Sequence, residues 1–375
     1  MSTDLWPGVR LHVVSGKGGT GKTTVAGALA LALASGGRRV LLVEVEGRQG
    51  IAQLFDVPPL PYTETRIAVA RGGGDVVAQA IDPEAAVLEY LQMFYNIKRG
   101  GTALKKIGAI DFATTIAPGL RDVLLTGKTG EQVRKRDKRN QFVWDAVVMD
   151  APPTGRITRF LNVNTEVGSL TRVGPIKNQA DSVMRVIRSP ETIVHMVTLL
   201  EEMPVQETID GIRELGAAGM NVGSLFVNLL RTEVLTDEAL AADDPVPVKE
   251  IREGLVAAGI SDRKRGLVSA LHDEAVDHAV RVRLQRREYE RLAKADLSLI
   301  ELPALPAMDL GGLYGPRRDH RGTGTPMSSP STSMRCLPTR PPGSSCAAGP
   351  AGSARPRRPQ PWRCGQRSRG VAWSS

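Results

Sequence analysis

Six stretches of the chain, Leu11–Ser15, Val40–Val45, Ala146–Asp150, Ile193–Leu200, Ser224–Asn228 and Leu297–Leu302, are rich in Val, Ile and Leu and predominantly apolar without alternation. Strands whose two faces are both buried have this pattern, because neither row of side chains meets water. Between them lie helical stretches. Lys22–Ala34 is rich in Ala and Leu and ends at Ser35-Gly36-Gly37, where glycine can take the left-handed capping conformation. Ile193–Leu200 could also be a buried helix, but its β-branched content and its length favour a strand. Strands alternating with helices predict an α/β fold: a mostly parallel sheet with helices on both faces.

Two segments, 82–140 and 163–188, do not fit that alternation. Asp82-Pro83-Glu84 reads as a helix start, with a capping side chain, a proline where no donor is needed and an acid in the first turn. Val87, Leu91, Phe94 and Tyr95 then fall on one face. These inserts are expected to build a mainly helical subdomain on the sheet, within a domain spanning residues 1–315. No internal repeat interrupts it.

Composition changes the picture at the C-terminus. The 375 residues are 41% hydrophobic and 24% charged, ordinary for a globular chain, but the formal charge of +9 is uneven. Residues 316–375 hold eleven Arg and one acid, Asp319, and 27 of these sixty residues are Pro, Gly or Ser. Such a segment cannot bury enough apolar area to fold, so a disordered tail is expected. Its Arg-without-Lys bias and abrupt start resemble a shifted reading frame in a GC-rich gene; an Arg-rich nucleic-acid arm is the alternative. The body carries a net −1, and no nucleic-acid partner is expected for it.

All three cysteines, Cys336, Cys346 and Cys364, lie in the tail, so disulfides and thiolate-bound zinc are excluded from the body and a reducing, cytoplasmic setting is expected. Met1–Arg10 lacks a basic stretch followed by an apolar core, and the apolar run Val25–Ala34 is far short of the ~20 residues of a membrane span. Neither secretion nor membrane insertion is expected, although a peripheral place at a membrane stays open.

Directly after the first strand comes Gly16-Lys17-Gly18-Gly19-Thr20-Gly21-Lys22-Thr23-Thr24, a phosphate-loop pattern in its proper place between a strand and a helix. The glycines let backbone N–H groups converge on phosphate oxygens, and the helix N-terminus adds a favourable dipole. Lys22 can reach the terminal phosphates of a nucleotide, and Thr23 can ligate Mg²⁺. Asp150 ends a buried strand and emerges at the carboxyl edge of the sheet, placed to hold Mg²⁺ through water.

Lys17 is not required by the ordinary pattern. With it, the loop resembles the deviant Walker A motif of the ParA/MinD/ArsA superclass of phosphate-loop ATPases. The resemblance implies a dimer in which Lys17 crosses to the partner's nucleotide and stabilises charge on the transferring phosphoryl group. Asp150-Ala151-Pro152-Pro153-Thr154-Gly155-Arg156 is similar to the second switch of the ArsA-type branch, Asp-Thr-Ala-Pro-Thr-Gly-His, with Arg156 at the His position. That branch includes arsenite-pump ATPases and targeting ATPases for tail-anchored membrane proteins.

The resemblance extends from about Arg10 to Leu313. Glu44-Val45-Glu46-Gly47-Arg48-Gln49 stands where the family has an Asp-Pro-Ala-His switch, which puts Glu46 at the Asp that positions the attacking water. Glu44 is the competing carboxylate, expected on the opposite face of its strand. Asn228 matches the family's adenine-contacting Asn, with an Asx turn as the other reading, and Pro303 lies in a stretch, 302–306, similar to the loop that closes over adenine. The resemblance thus implies a Mg²⁺-dependent ATP hydrolase, a homodimer or a heterodimer with a paralogous subunit, acting on a cargo or a membrane partner.

Arsenite activates its pump ATPases through thiolates, and residues 1–335 contain none, so a thiolate arsenite site is not expected. The zinc-binding Cys-x-x-Cys pair of the eukaryotic targeting dimers is absent too. Met93, Phe94 and Tyr95 with Val183, Met184, Val186 and Ile187 could line an apolar cargo groove, although ordinary core positions are the favoured reading. Basic runs at 134–136 and 138–139 are expected to be solvated. The alternatives to a cargo ATPase are a ParA/MinD-like positioning switch and a nucleotide-bound subunit that does not hydrolyse.

Overall fold

A computed structural model describes residues 5–83, 85–86, 89, 120–170, 175–261 and 266–304, the side chains of 120, 164–170 and 175–180 excepted. Along the chain run β1 (Leu11–Gly16), α1 (Lys22–Ala34), β2 (Arg39–Glu44), α2 (Gly50–Leu54), β3 (Thr65–Val69), β4 (Asp75–Ala80), α3 (Leu120–Arg134) and β5 (Ala146–Asp150). There follow α4 (Thr154–Leu170), α5 (Pro175–Ile187), β6 (Thr192–Thr198), α6 (Glu202–Ala217), β7 (Val222–Leu230), α7 (Asp237–Ala241), α8 (Val248–Ala257), α9 (Leu267–Ala293) and β8 (Leu299–Pro303).

The strands form one eight-stranded sheet in the order β3-β4-β2-β5-β1-β6-β7-β8. Every neighbouring pair is parallel except the edge pair β3–β4. The six strands expected from apolar runs are all present. β3 and β4 were not among them. They form a hairpin through Gly72 and Gly73, both at left-handed φ (85° and 86°), and Ala70 N–H donates to the Gly74 carbonyl at 2.7 Å. Gly73 N–H also donates to the Ala70 carbonyl at 3.1 Å, so residues 71–73 form a three-residue hairpin loop whose left-handed positions favour glycine.

Alternation along each buried strand divides the core in two. Leu11 and Val13 of β1 join Val147 and Met149 of β5 and Val194 and Met196 of β6 under helices α3 to α6. Val14, Leu42 and Val148 face the other way, onto Val25, Leu29 and Leu33 of α1. α1 also packs tightly on α2: a Cβ at Gly27 would lie 2.8 Å from Leu54.

Of the segments expected to be a helical insert, 120–134, 163–170 and 175–187 are helical. Val183, Met184 and Ile187 are buried in the cluster shared with β1 and β5, so these three are core positions and do not line an open groove. Met93, Phe94 and Tyr95, with Val87 and Leu91, lie outside the described residues, as does the tail. Residues 135–140 are not helix. The Asp137 carboxylate accepts from Arg139 N and Gln141 N at 2.8 and 2.9 Å, and this turn brings Arg136 into a bridge with Phe142. The first basic run is locally engaged: Lys135 pairs with Glu64, and Arg136 stacks on the Phe142 ring at 3.8 Å.

A polar pair lies inside the α1-side core. His12 Nδ1 and His195 Nε2 are 3.1 Å apart, and the rings stack at 5.4 Å with Trp6 edge-on to both. Ser224 N–H donates to His195 Nδ1 at 3.3 Å, so His195 carries its proton on Nε2 and donates to His12. Burial pushes His12 down to about 4 and holds His195 well below its ordinary value, the neighbouring His12 adding to the effect. Both rings are therefore neutral when folded and take up protons more readily when unfolded. Their contribution to stability is complete above the ordinary value of 6.5 and is lost as the pH falls from there toward about 4. For His12 this amounts to about 2 kcal/mol between pH 7 and pH 5. Asp150, raised by burial to about 6, acts in the opposite sense, so the test compares variants. Urea unfolding at the two pH values should show a loss in the wild type that His12→Asn reduces by about 2 kcal/mol, the share that remains belonging to His195.

Candidate functional site

The phosphate loop, residues 16–24, leaves the carboxyl end of β1, the strand flanked by β5 and β6. Its glycines answer to different constraints. A Cβ at Gly16 would lie 2.1 Å from the Val197 carbonyl oxygen, so neighbouring β6 excludes any side chain there. Gly19 and Gly21 both have φ of +86°, where L residues are strained. Gly18 meets nothing within 4 Å of an added Cβ and lies at the open side of the loop. Thr20 is buried and closes the turn, its hydroxyl donating to the Lys17 carbonyl at 2.8 Å.

α1 begins at Lys22. Thr23 Oγ1 donates to Asp150 Oδ2 at 2.7 Å, Thr24 is partly buried in the first turn, and Ser15 Oγ donates to the Pro152 carbonyl at 2.7 Å. These bonds tie the phosphate loop to the loop after β5. Burial lowers the pKa of Lys22, while Asp150 and Glu46 act to raise it. Burial dominates the upward shift of Asp150 too; Thr23 and Lys22 oppose it, and Glu44 and Glu46 add to it.

Glu46 follows β2 with its side chain 18% exposed, 3.7 Å from Arg48, and lies close enough to act electrostatically on both Lys22 and Asp150. The expected orientation of Glu44 is corrected. Residues two apart on a strand share a face, and Glu44 stands in register with Asp150 on the neighbouring parallel strand. It is 2% exposed, with Oε2 accepting from Ile51 N–H at 3.2 Å.

The two residues expected near adenine stand on β7 and β8. Asn228, near the end of β7, donates from Nδ2 to the Thr20 carbonyl at 2.9 Å and so braces the phosphate loop. Pro303 is exposed at the end of β8, paired in register with Leu230 and three strands from β1. Lys17 reaches Glu207 of α6, Nζ to Oε1, at 2.7 Å, and Glu207 Oε2 accepts from Thr154 Oγ1 at 3.2 Å. Glu207 carries no sequence signal; only the packing of α6 against β1 brings it near the loop. Arg156, at the family's His position, points to Asp122 of α3 at 3.6 Å.

Magnesium prefers hard oxygen ligands in octahedral geometry and keeps waters or phosphate oxygens in most positions. The Thr23 hydroxyl and Asp150 carboxylate supply such oxygens beside the loop. Among the described residues no three His, Cys, Asp or Glu side chains assemble as a metal site. The residues present fit Mg²⁺.

A glycine loop between a buried parallel strand and a helix, with a hydroxyl–carboxylate pair bridging to the adjacent strand, defines a phosphate-loop NTPase fold. Residues 9–190 match the family model described as anion-transporting ATPase. ATPase BagA of Mycobacterium tuberculosis is 52% identical over 316 residues, covering 82% of this chain and 93% of its own length. ATPase GET3 of Eremothecium gossypii is 25% identical over 252 residues, 58% of this chain and 70% of its own. ATPase GET3 of Candida glabrata is 26% identical over 254 residues, 58% and 71% of the two chains. The chain belongs to the anion-transporting, ArsA-type ATPase family. No helix among the described residues is long and apolar enough to cross a membrane.

Gly21→Ala tests the loop geometry. A Cβ there would lie 2.4 Å from Asn228 Nδ2, on a backbone that costs an L residue about 1–2 kcal/mol. Titration with a fluorescent ADP analogue should show affinity reduced at least about tenfold, with the fold retained by circular dichroism.

Proposed function

We propose that the chain is a Mg²⁺-dependent ATP hydrolase that works as a dimer, with itself or with a paralogous subunit, and couples hydrolysis to a conformational change on a cargo or membrane partner. The observation that carries this reading is the Thr23–Asp150 hydrogen bond of 2.7 Å at the mouth of the glycine loop, beside Lys22. Loop N–H groups and the α1 N-terminus bind the phosphates, and Lys22 neutralises charge on the terminal ones. Thr23 and Asp150 would hold Mg²⁺, which would supply positive charge against the phosphates.

Glu46 orients a water in line with the γ-phosphate and accepts its proton as the bond to the β-phosphate oxygen breaks, leaving ADP and inorganic phosphate. Its partial exposure and freedom from backbone hydrogen bonds among the described residues suit a base that must meet solvent. Lys17 supplies a second cation for the transferring phosphoryl group, across the dimer. In the isolated chain it is held by Glu207, so crossing to a partner requires that ion pair to open. Cargo is not read by thiolates, since residues 1–335 contain no cysteine.

The test is Mg²⁺-dependent ATP turnover by the full chain as its concentration is raised. Turnover per subunit should rise with concentration, and Lys17→Ala and Glu46→Gln should each lower it by on the order of a hundredfold. Turnover independent of concentration and indifferent to Lys17 would refute the dimeric, trans-lysine reading. Glu207→Gln should act in the other direction. A half-exposed ion pair is worth up to about 1 kcal/mol, so freeing Lys17 should raise turnover at low protein concentration by at most about fivefold.

A further inference from the structure

Glu44 is a buried carboxylate that the mechanism above does not use. Its Oε2 is engaged by Ile51 N–H, but Oε1 is buried and meets no hydrogen-bond donor. Leaving a charged oxygen unpaired inside a protein is costly, so such a group is retained where a partner of opposite charge completes it. The surroundings say where that partner sits. In parallel strands, residues in register present their side chains to the same face, and Glu44 is in register with Asp150, which bonds Thr23. Ile51 belongs to α2, and the residue before it, Gly50, packs on Thr23, where a Cβ would lie 3.3 Å from Thr23 Cγ2. Glu44 thus shares a face at the strand ends with Asp150, and its bonding partner Ile51 adjoins the residue that packs on Thr23.

We infer that Glu44 is a positioning residue of the divalent-cation site, its Oε1 accepting from water bound to the cation held at Thr23 and Asp150. The inference rests on the reading that this site binds Mg²⁺ with nucleotide. It also separates the two acids of Glu44-Val45-Glu46: the buried one serves the metal, and the one 18% exposed remains available to water. Carboxylate near a hydrated Mg²⁺ orients its waters and raises its affinity, an effect of about ten- to a hundredfold when such outer partners are removed from metal sites.

The full chain, wild type and Glu44→Gln, is titrated with a fluorescent ADP analogue in EDTA and again in millimolar Mg²⁺. Wild type should bind more tightly in Mg²⁺. The Gln variant should bind in EDTA at least as tightly as wild type, because a negative charge near the phosphates is gone, while its Mg²⁺ enhancement should fall about tenfold or more. Glu44→Asp, which restores the charge, should lie between the two. A carboxylate kept only to hold Ile51 would show lower stability and an unchanged Mg²⁺ enhancement, and that result overturns the proposal. Binding in EDTA reports that each variant is folded; should Gln not fold, Asp must fall below wild type, and equality with wild type overturns the proposal. Absence of ADP binding by wild type under both conditions would refute the nucleotide-binding reading itself, and this inference with it.

Discussion

Thr23 on the first turn of α1 and Asp150 at the end of β5 are 127 residues apart in the chain, yet their side chains meet at 2.7 Å. That contact depends on the parallel register in which Val14 stands beside Asp150 and Asp150 beside Glu44. Parallel strands need long crossovers, so α1 must start directly above the end of β1 and return across the sheet. The same register concentrates Glu44 and Asp150 at one edge, with Glu46 just beyond it. That density of negative charge is opposed by Lys22 and the N-terminal dipole of α1, and it is the environment in which a divalent cation is stabilised.

The rest of the architecture keeps that edge rigid. Strands β1, β2 and β5 are buried on both faces along nearly their whole length, so their ends cannot drift. Two bonds from outside the loop add to this: Asn228 braces the Thr20 carbonyl from β7, and Ser15 pins the Pro152 carbonyl. Lys17 is held differently: its ammonium pairs with Glu207, a partly exposed residue on α6, and Glu207 in turn accepts from Thr154 at the start of α4, so this ion pair joins the phosphate loop to the loop after β5.

Much of this was legible in the chain. The six buried strands follow from predominantly apolar runs, and residues 16–24 declare a phosphate loop because its glycines, Lys22 and its hydroxyls are contiguous. The β3–β4 hairpin escaped because β3 is a half-exposed edge strand whose apolar pattern is interrupted by Arg66, although Gly72-Gly73 marks its turn. Glu44 shares a face with Asp150, contrary to the expectation, because residues two apart on a strand project to the same side. Glu207 had no signal at all, since a single Glu on an amphipathic helix is indistinguishable from a solvated one until α6 is docked.

By itself the sequence determined what local sterics govern: where strands end, where left-handed glycines permit a loop, where α1 begins, and that the body carries no thiol for metal or arsenite. Tertiary structure alone decided which side chains meet. Thr23 with Asp150, Lys17 with Glu207 across 190 residues, Asn228 with Thr20 across 208, and Glu44 beside Asp150 are products of strand order and register. Backbone conformation is set within a few residues, whereas a contact between distant side chains exists only once the elements carrying them have packed.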